Sequence, residues 1–313
     1  MSEATEFERL RPLLFSIAYR ILGSVTEAED AVQETWLRFD ASDERPASLK
    51  SYLAAIVTRV SIDVLRSARV RREEYVGEWL PEPLLDDPYS DPQQAAELAD
   101  SLTTASLLLL ERLSPLERAA FVLHEVFAFD FAAIAETLDR SEAACRQLAA
   151  RARRHMDDGR TRLEADAREA EALTARFLSA MQDGDVEGMR SMLAADAVMP
   201  ADGGGKAPVW GRGTWGADRM VEKLAQMAPA FIAAGCALEP QRINGRPGAI
   251  FRDRDGRVLS SWGFDVAGGV ITAVRIVLNP DKLQHLGPVA DAWTLLREAG
   301  SASPRDAQAE PPT

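Results

Sequence analysis

Cysteine and histidine are scarce in this chain. Cys145 and Cys236 are its two cysteines in 313 residues, far apart and outside any CxxC or Cys/His cluster. That pattern supports neither a disulfide framework nor a zinc site, and each cysteine reads as a small buried hydrophobe. The three histidines are His124, His155 and His285, too few and too scattered to suggest an acid/base pair. Carboxylates such as Asp202, Glu222 and Asp265 would have to carry any such chemistry. The expectation is no enzymatic activity, no catalytic residue, no cofactor and no metal. No apolar run approaches the roughly 20 residues that span a bilayer. The opening segment MSEATEFERLRP lacks the basic, apolar and small-residue parts of a signal peptide. A cytoplasmic protein without membrane association is expected. Positive charge is in deficit as well: 36 Lys and Arg face 49 Asp and Glu, a net charge of -13. Taken alone, that balance argues against a nucleic-acid partner.

What is present reverses the last inference, because the charge is segregated. Between Arg45 and Arg72 lie Lys50, Arg59, Arg66, Arg69 and Arg71 against Asp63 alone, and a second basic block holds Arg140, Arg146, Arg151, Arg153 and Arg154 against Glu142. The stretch from Val76 to Asp100 contains seven acids and neither Lys nor Arg. Two cationic patches are thus joined by an anionic linker, stiffened by Pro81, Pro83, Pro88 and Pro92.

Periodicity organises the chain further. Leu14, Ile17, Ala18 and Ile21, then Leu53, Ile56, Val57, Val60 and Val64, recur at helical spacing. Ser114-Pro115-Leu116-Glu117 is a helix start: Ser114 caps, Pro115 suits the first position and Glu117 completes a capping box. The last third changes texture, with β-prone runs at Arg257–Val266 and Val270–Leu278 about Gly268-Gly269, and reads as α+β. The tail from about Ser301 is small, polar and proline-bearing, the composition of a disordered segment.

The second basic block sits on a helix-turn-helix pattern. Asp130 can cap a helix with Phe131, Ile134, Ala135 and Leu138 on one stripe; after Asp139-Arg140, Ser141 can cap a second in which Cys145, Leu148, Ala149 and Ala152 face inward. Its outer side carries Glu142, Arg146, Gln147, Arg151, Arg153 and Arg154, types that contact base edges and phosphates. A solvated basic face on a helical hairpin is the competing reading. Asp139 stands at the turn position that glycine often fills, and Asp tolerates left-handed backbone better than most.

SEAACRQLAARARRHM, preceded by LSPLERAAFVLHEVFAFDFAAIAETL, resembles region 4 of extracytoplasmic-function sigma factors of the sigma-70 family, the domain that binds the minus-35 promoter element. AYRILGSVTEAEDAVQETWLRF is similar to regions 2.1 and 2.2, and SLKSYLAAIVTRVSIDVLRSARVRREE to regions 2.3 and 2.4. The resemblance implies an alternative sigma factor that directs core RNA polymerase to promoters and initiates transcription. The alternative is a ligand-responsive helix-turn-helix regulator that acts without polymerase. On this resemblance Asp30, Gln33, Glu34, Trp36 and Arg38 dock on the beta-prime clamp helices, and the beta subunit is a further polymerase contact. Lys50, Tyr52, Arg59, Asp63, Arg66 and Arg69 capture the minus-10 element, with Asp63 also suited to an internal salt bridge. Ser141, Glu142, Arg146, Gln147, Arg151 and Arg154 contact the minus-35 element.

Trp79-Leu80-Pro81-Glu82-Pro83, Asp202-Gly203-Gly204-Gly205-Lys206 and Asn279-Pro280-Asp281-Lys282-Leu283 resemble the signatures of the group-41, SigJ-like branch. Locally they also read as a proline-stiffened staple, a strand-connecting loop and a helix start capped by Asn279. The resemblance implies a SnoaL-like domain of the NTF2-like fold in place of a separate anti-sigma factor. The implied architecture is multidomain: two all-α modules, a region 2 bundle (1–75) and a region 4 helix-turn-helix (101–164), joined by an acidic linker (76–100). An α+β NTF2-like conical barrel (165–287) and a partly disordered tail (288–313) follow. The three strings are expected to form an interdomain regulatory contact, with Lys206 and Lys282 facing the acidic linker and Trp79, Leu80, Leu84 and Leu85 supplying apolar burial. The cone leaves room for an unidentified small ligand near Trp210, Trp262 and Arg275.

Overall fold

The computed structural model describes residues 3–43, 46–73, 75–89, 91, 93, 95–160, 167–209, 216–233 and 235–301. They form two units: residues 1–75 with 81–162, and residues 76–80 with 163–313. Among the described residues no helix is long and apolar enough to cross a membrane.

In the first unit, helix α1 (Glu3–Leu22) buries Leu14, Ile17, Ala18 and Ile21 completely, the stripe its spacing predicts. Gly23 ends it at φ +70°, where an L side chain would be strained, and Ser24 caps α2 (Val25–Asp40) by accepting from the Glu27 N–H. Helix α3 (Leu49–Glu73) packs on both. Helices α4 (Ala95–Leu102) and α5 (Thr104–Glu111) follow. Helix α6 (Pro115–Phe121) opens with the predicted capping box: the Glu117 N–H donates to Ser114 Oγ, and the Ser114 N–H donates to Glu117 Oε2. A π-helical stretch (Val122–Val126) leads to α7 (Phe131–Leu138) and α8 (Glu142–Arg160). One apolar core runs from Phe7 to Met156.

Two buried arginines tie this unit together, and the sequence reading had passed over both. Arg20 projects from the apolar stripe of α1 and donates to Ser101 Oγ (2.8 Å), the Leu98 carbonyl (2.9 Å) and Asp87 Oδ2 (2.9 Å). Arg118 on α6 donates to the Ile21 carbonyl (2.6 Å) and pairs with Glu111 (3.0 Å). A buried guanidinium is tolerable only with such partners. Arg20 lies seven residues from Leu13 and three from Ile17, so a cation within an apolar stripe was the available signal.

In the second unit, α9 (Ala167–Asp183) and α10 (Val186–Met192) precede β1 (Leu193–Val198) and β2 (Ala201–Asp202). Helix α11 (Ala217–Ala233) leads to four antiparallel strands, β3 (Ala237–Ile243), β4 (Arg246–Arg252), β5 (Val258–Ala267) and β6 (Val270–Val277). The sheet order is β1-β6-β5-β4-β3, with β1 and β2 parallel to β6. Asn244-Gly245 and Gly268-Gly269 turn the hairpins with φ of +52°, +72°, +59° and +76°, the left-handed values that two-residue turns matching strand twist require. Helices α9 and α11 pack on the sheet. Order continues beyond Gly287: Val289 bridges to Val258, and α12 (Ala292–Ser301) buries Leu295 in the second core. Residues 302–313 of the expected tail lie outside the described residues.

Candidate functional site

The helix-turn-helix forms as its capping residues dictate. Asp130 Oδ1 accepts from the Ala133 N–H at 2.8 Å, and Ser141 Oγ accepts from the Ala144 N–H at 3.2 Å. Between them Asp139 takes left-handed backbone, φ +52°. Cys145, Ala149 and Ala152 are buried, whereas Ser141, Glu142, Arg146, Gln147, Arg151, Arg153 and Arg154 are exposed along α8. The cationic face carries its own counter-ions: Arg146 pairs with Glu142 (2.5 Å) and lies 5.3 Å from the Phe131 ring centroid, Arg151 pairs with Glu117 (2.7 Å), and Arg153 pairs with Glu125. Burial tends to raise the Glu117 carboxyl, but hydrogen bonds from Arg151 and Ser114 outweigh it and hold the group below its ordinary value.

On α2, Asp30 and Gln33 are exposed and Glu34 is half-buried; Glu34 holds Arg38 at 2.8 Å. Trp36 turns the other way and packs edge-on to Phe7, ring centroids 4.9 Å apart. It thus supports the helix from inside, and Leu37 is the exposed apolar residue of this face. On α3, Asp63 and Arg66 are exposed and 3.5 Å apart, the internal pair foreseen for Asp63, and the Tyr52 hydroxyl lies 3.3 Å from Ser42 Oγ. The side chain of Arg69 lies outside the described residues.

Lys50 and Arg59 are engaged by the helix-turn-helix half of the same unit. Arg59 donates to the carbonyls of Thr137 and Glu136, both at 2.8 Å, so its guanidinium caps the C-terminal end of α7. The Lys50 ammonium lies 5.6 Å from the centroid of the Phe129 ring.

The three short motifs meet around a strap, and the chain passes from one unit to the other between Leu80 and Pro81. In the second unit, Asp202 Oδ2 accepts from the Leu80 N–H (2.8 Å) and from Lys282 Nζ (2.7 Å), while the same ammonium donates to the Leu80 carbonyl (2.5 Å). Lys282 also sits 4.3 Å from the Trp79 ring centroid. The Asp202 side chain is fully buried and that of Lys282 is 9% exposed. Lys282 reaches this position because Asn279 caps a single 3₁₀ turn, Pro280–Lys282, by accepting from the Asp281 N–H. The Leu278 and Asn279 N–H groups both donate to the Asp202 carbonyl, at 2.7 and 2.9 Å. The glycines have separate reasons. A Cβ on Gly203 would lie 2.5 Å from the Ala207 carbonyl oxygen; Gly204 and Gly205 hold φ of +57° and +72°, and a Cβ on Gly205 would meet Val76 at 3.2 Å. Lys206 does not reach the strap; it forms an exposed pair with Asp281.

The other end of the strap is anchored in the first unit. Glu82 is buried; its carboxylate accepts from Ser24 Oγ (2.7 Å) and the N–H groups of Val25 (2.8 Å) and Thr26 (3.1 Å). A carboxylate there satisfies orphan donors at the start of α2 and complements the helix dipole. The Tyr19 hydroxyl donates to the Glu82 carbonyl at 2.5 Å, and the Glu82 N–H donates to the Gly23 carbonyl at 2.9 Å. Leu84 joins the first core.

The second unit also encloses a cup lined by α9, α11 and strands β3 to β6. Trp262 lines it as expected, but Arg275 points to the opposite face of β6, where it pairs with Asp265 at 2.6 Å. Trp210 lies outside the described residues. Asp202, Glu222 and Asp265 line no part of the cup. Cys236, expected to be buried, is half-buried and forms part of the cup wall; desolvation raises its thiol.

Residues 7–71 match Sigma-70 region 2, and residues 106–156 match Sigma-70, region 4. The ECF RNA polymerase sigma factor SigJ of Mycobacterium tuberculosis is 38% identical over 292 residues, which cover 90% of this chain and 93% of that protein. The probable ECF RNA polymerase sigma factor SigI of the same species is 29% identical, over 88% of this chain and 93% of its own length. The crystal structure of the M. tuberculosis SigJ superposes with a TM-score of 0.69 at 35% identity and covers 90% of this chain and 98% of that one. Two helical sigma modules, fused to an α+β domain, define a sigma-70-type transcription initiation factor, a class of protein without enzymatic activity of its own. With similarity extending over nine-tenths of its length, this chain belongs to the extracytoplasmic-function RNA polymerase sigma factors.

Proposed function

We propose that this sigma factor grips core polymerase through α2, reads promoters through α3 and α8, and is regulated in cis through the strap at residues 79–83. The division of labour is region 2 at 1–75, an acidic connection at 76–100, region 4 at 101–164 and a regulatory domain from 165 onward, acting in the cytoplasm. Asp30, Glu34 and Arg38 form a mixed-charge edge on α2 suited to the beta-prime clamp helices, backed by Trp36. Charge reversal at Glu34 is expected to abolish co-purification with core polymerase; unaltered association would refute the assignment.

The observation that carries the regulatory reading is the spacing of two anchors. Lys282 and Asp202 hold both backbone groups of Leu80, and two residues later Glu82 holds the first N–H groups of α2. A change in the C-terminal domain that moves Leu80 therefore acts on the start of the polymerase-docking helix through one intervening residue. This wiring lets the fused domain do the work of a separate anti-sigma factor. Promoter capture is subject to a second restraint, since Lys50 and Arg59 serve minus-10 recognition on this reading and are engaged by Phe129 and the end of α7. Polymerase binding must release them before they can meet the DNA strand. Promoter-specific transcription by purified chain plus core enzyme tests the whole reading, and Trp79→Ala is expected to change both output and protease sensitivity. Unchanged transcription and digestion in that variant would remove the strap from the mechanism.

A further inference from the structure

The cup of the C-terminal domain has a volume of about 320 Å³, at the lower end of the roughly 300–1,000 Å³ typical of small-molecule sites. Its wall is chemically lopsided. Met181, Met227, Phe231, Phe251 and Trp262 supply polarisable and aromatic surface, and none of the described residues that line it carries a formal charge. Phe251 and Trp262 lie with ring centroids 4.7 Å apart and an interplanar angle of 33°, forming a broad aromatic wall. The Trp262 indole N–H is already spent on Ser260 Oγ at 3.0 Å. Among the described lining side chains, hydrogen bonding to an occupant is left chiefly to Gln182 and the Ser260 hydroxyl.

We infer that the cup binds a neutral, largely apolar small molecule with one or two hydrogen-bonding groups. A carboxylate, phosphate or ammonium would lose its hydration there and meet no counter-charge among the described lining residues, which selects against charged ligands. An apolar cavity of this kind stays poorly hydrated, so a matching apolar occupant supplies the contacts its lining lacks. The cup also adjoins the strap anchor: Leu278 lines it, and the Leu278 N–H donates to the Asp202 carbonyl at 2.7 Å. On the regulatory reading above, occupancy would thus be felt at Leu80, but binding itself does not depend on that reading.

N-phenyl-1-naphthylamine, a neutral hydrophobic fluorophore, is the probe, and its sulfonated counterpart, 8-anilinonaphthalene-1-sulfonate, adds one negative charge to the same skeleton. The full-length protein is expected to bind the neutral dye saturably with one site, at least about tenfold more tightly than the sulfonate. Met227→Trp, which fills the cup, is expected to abolish binding. In the wild-type protein, the neutral dye is expected to slow alkylation of Cys236 by N-ethylmaleimide, followed by peptide mass spectrometry; this readout decides the matter if Met227→Trp does not fold. Absence of saturable binding, equal affinity for the sulfonate, binding retained by folded Met227→Trp, or binding without protection of Cys236 would each overturn the inference.

Discussion

Replacing Lys282 with methionine isolates the electrostatics of the strap. The substitution keeps most of the aliphatic stem and removes an ammonium that donates to Asp202 Oδ2 at 2.7 Å and to the Leu80 carbonyl at 2.5 Å, and that lies 4.3 Å from the Trp79 ring centroid. Because the Asp202 side chain has no solvent exposure, the dominant cost is a buried carboxylate deprived of its cation, about 3–5 kcal/mol. The lost cation–π contact adds roughly 1–2 kcal/mol at most and is secondary. Taking roughly 2 kcal/mol per molar of urea, the unfolding midpoint of the C-terminal domain should fall by about 2 M. Asp202→Asn in the Lys282→Met background removes the stranded charge and should restore part of the loss, with a coupling of roughly 1–3 kcal/mol in the double-mutant cycle. Chymotryptic cleavage at Trp79 should accelerate in Lys282→Met and slow again in the double variant. A loss below about 1 kcal/mol for Lys282→Met, or a double variant no more stable than the single, would show that the pair behaves as a surface salt bridge and would refute the reasoning.

Three other perturbations test neighbouring parts. Glu82→Ala takes the acceptor from Ser24, Val25 and Thr26; it should cost about 2–3 kcal/mol and speed amide exchange at residues 25–27 by an order of magnitude or more, as read by mass spectrometry. Gly205→Ala combines left-handed backbone with a 3.2 Å approach to Val76; a loss of about 1–2 kcal/mol and faster proteolysis of the strap are expected in urea and chymotrypsin assays. For Glu117 the folded-state value is depressed, so its stabilisation is fully present above the ordinary carboxylate value and is lost as pH falls through the depressed folded value. Acid unfolding monitored by helical circular dichroism should therefore flatten in Glu117→Gln relative to the parent chain, and identical acid limbs would contradict this account of the α6 cap.

Local rules carried much of the architecture. Ser114 with Glu117, Asp130, Ser141 and Asn279 each cap the helix that follows, because capping depends on a few adjacent atoms. The α8 face and its inward stripe followed from a 3.6-residue period, and Gly268-Gly269 marked the last hairpin by the φ values it requires. Other features escaped that reading. Trp36 stands among charged residues on α2 yet packs inward, and Arg20 was hidden in a hydrophobic stripe until Asp87, Ser101 and Leu98 supplied its partners. Order in α12 was missed because the segment after Gly287 gains its burial from a distant core.

Sequence alone determined where the capped helices start and which helix faces are cationic, since propensity, capping and periodicity are properties of neighbouring residues; that three short motifs belong together followed from the family resemblance. Tertiary structure decided which charges meet: Lys282 rather than Lys206 took the strap, Arg59 capped α7, and Arg275 turned from the cup to Asp265. The reason is physical: a hydrogen bond or ion pair depends on distances of a few ångströms between groups that are, for Leu80 and Lys282, 202 residues apart in the chain. Only the packed backbone sets such distances.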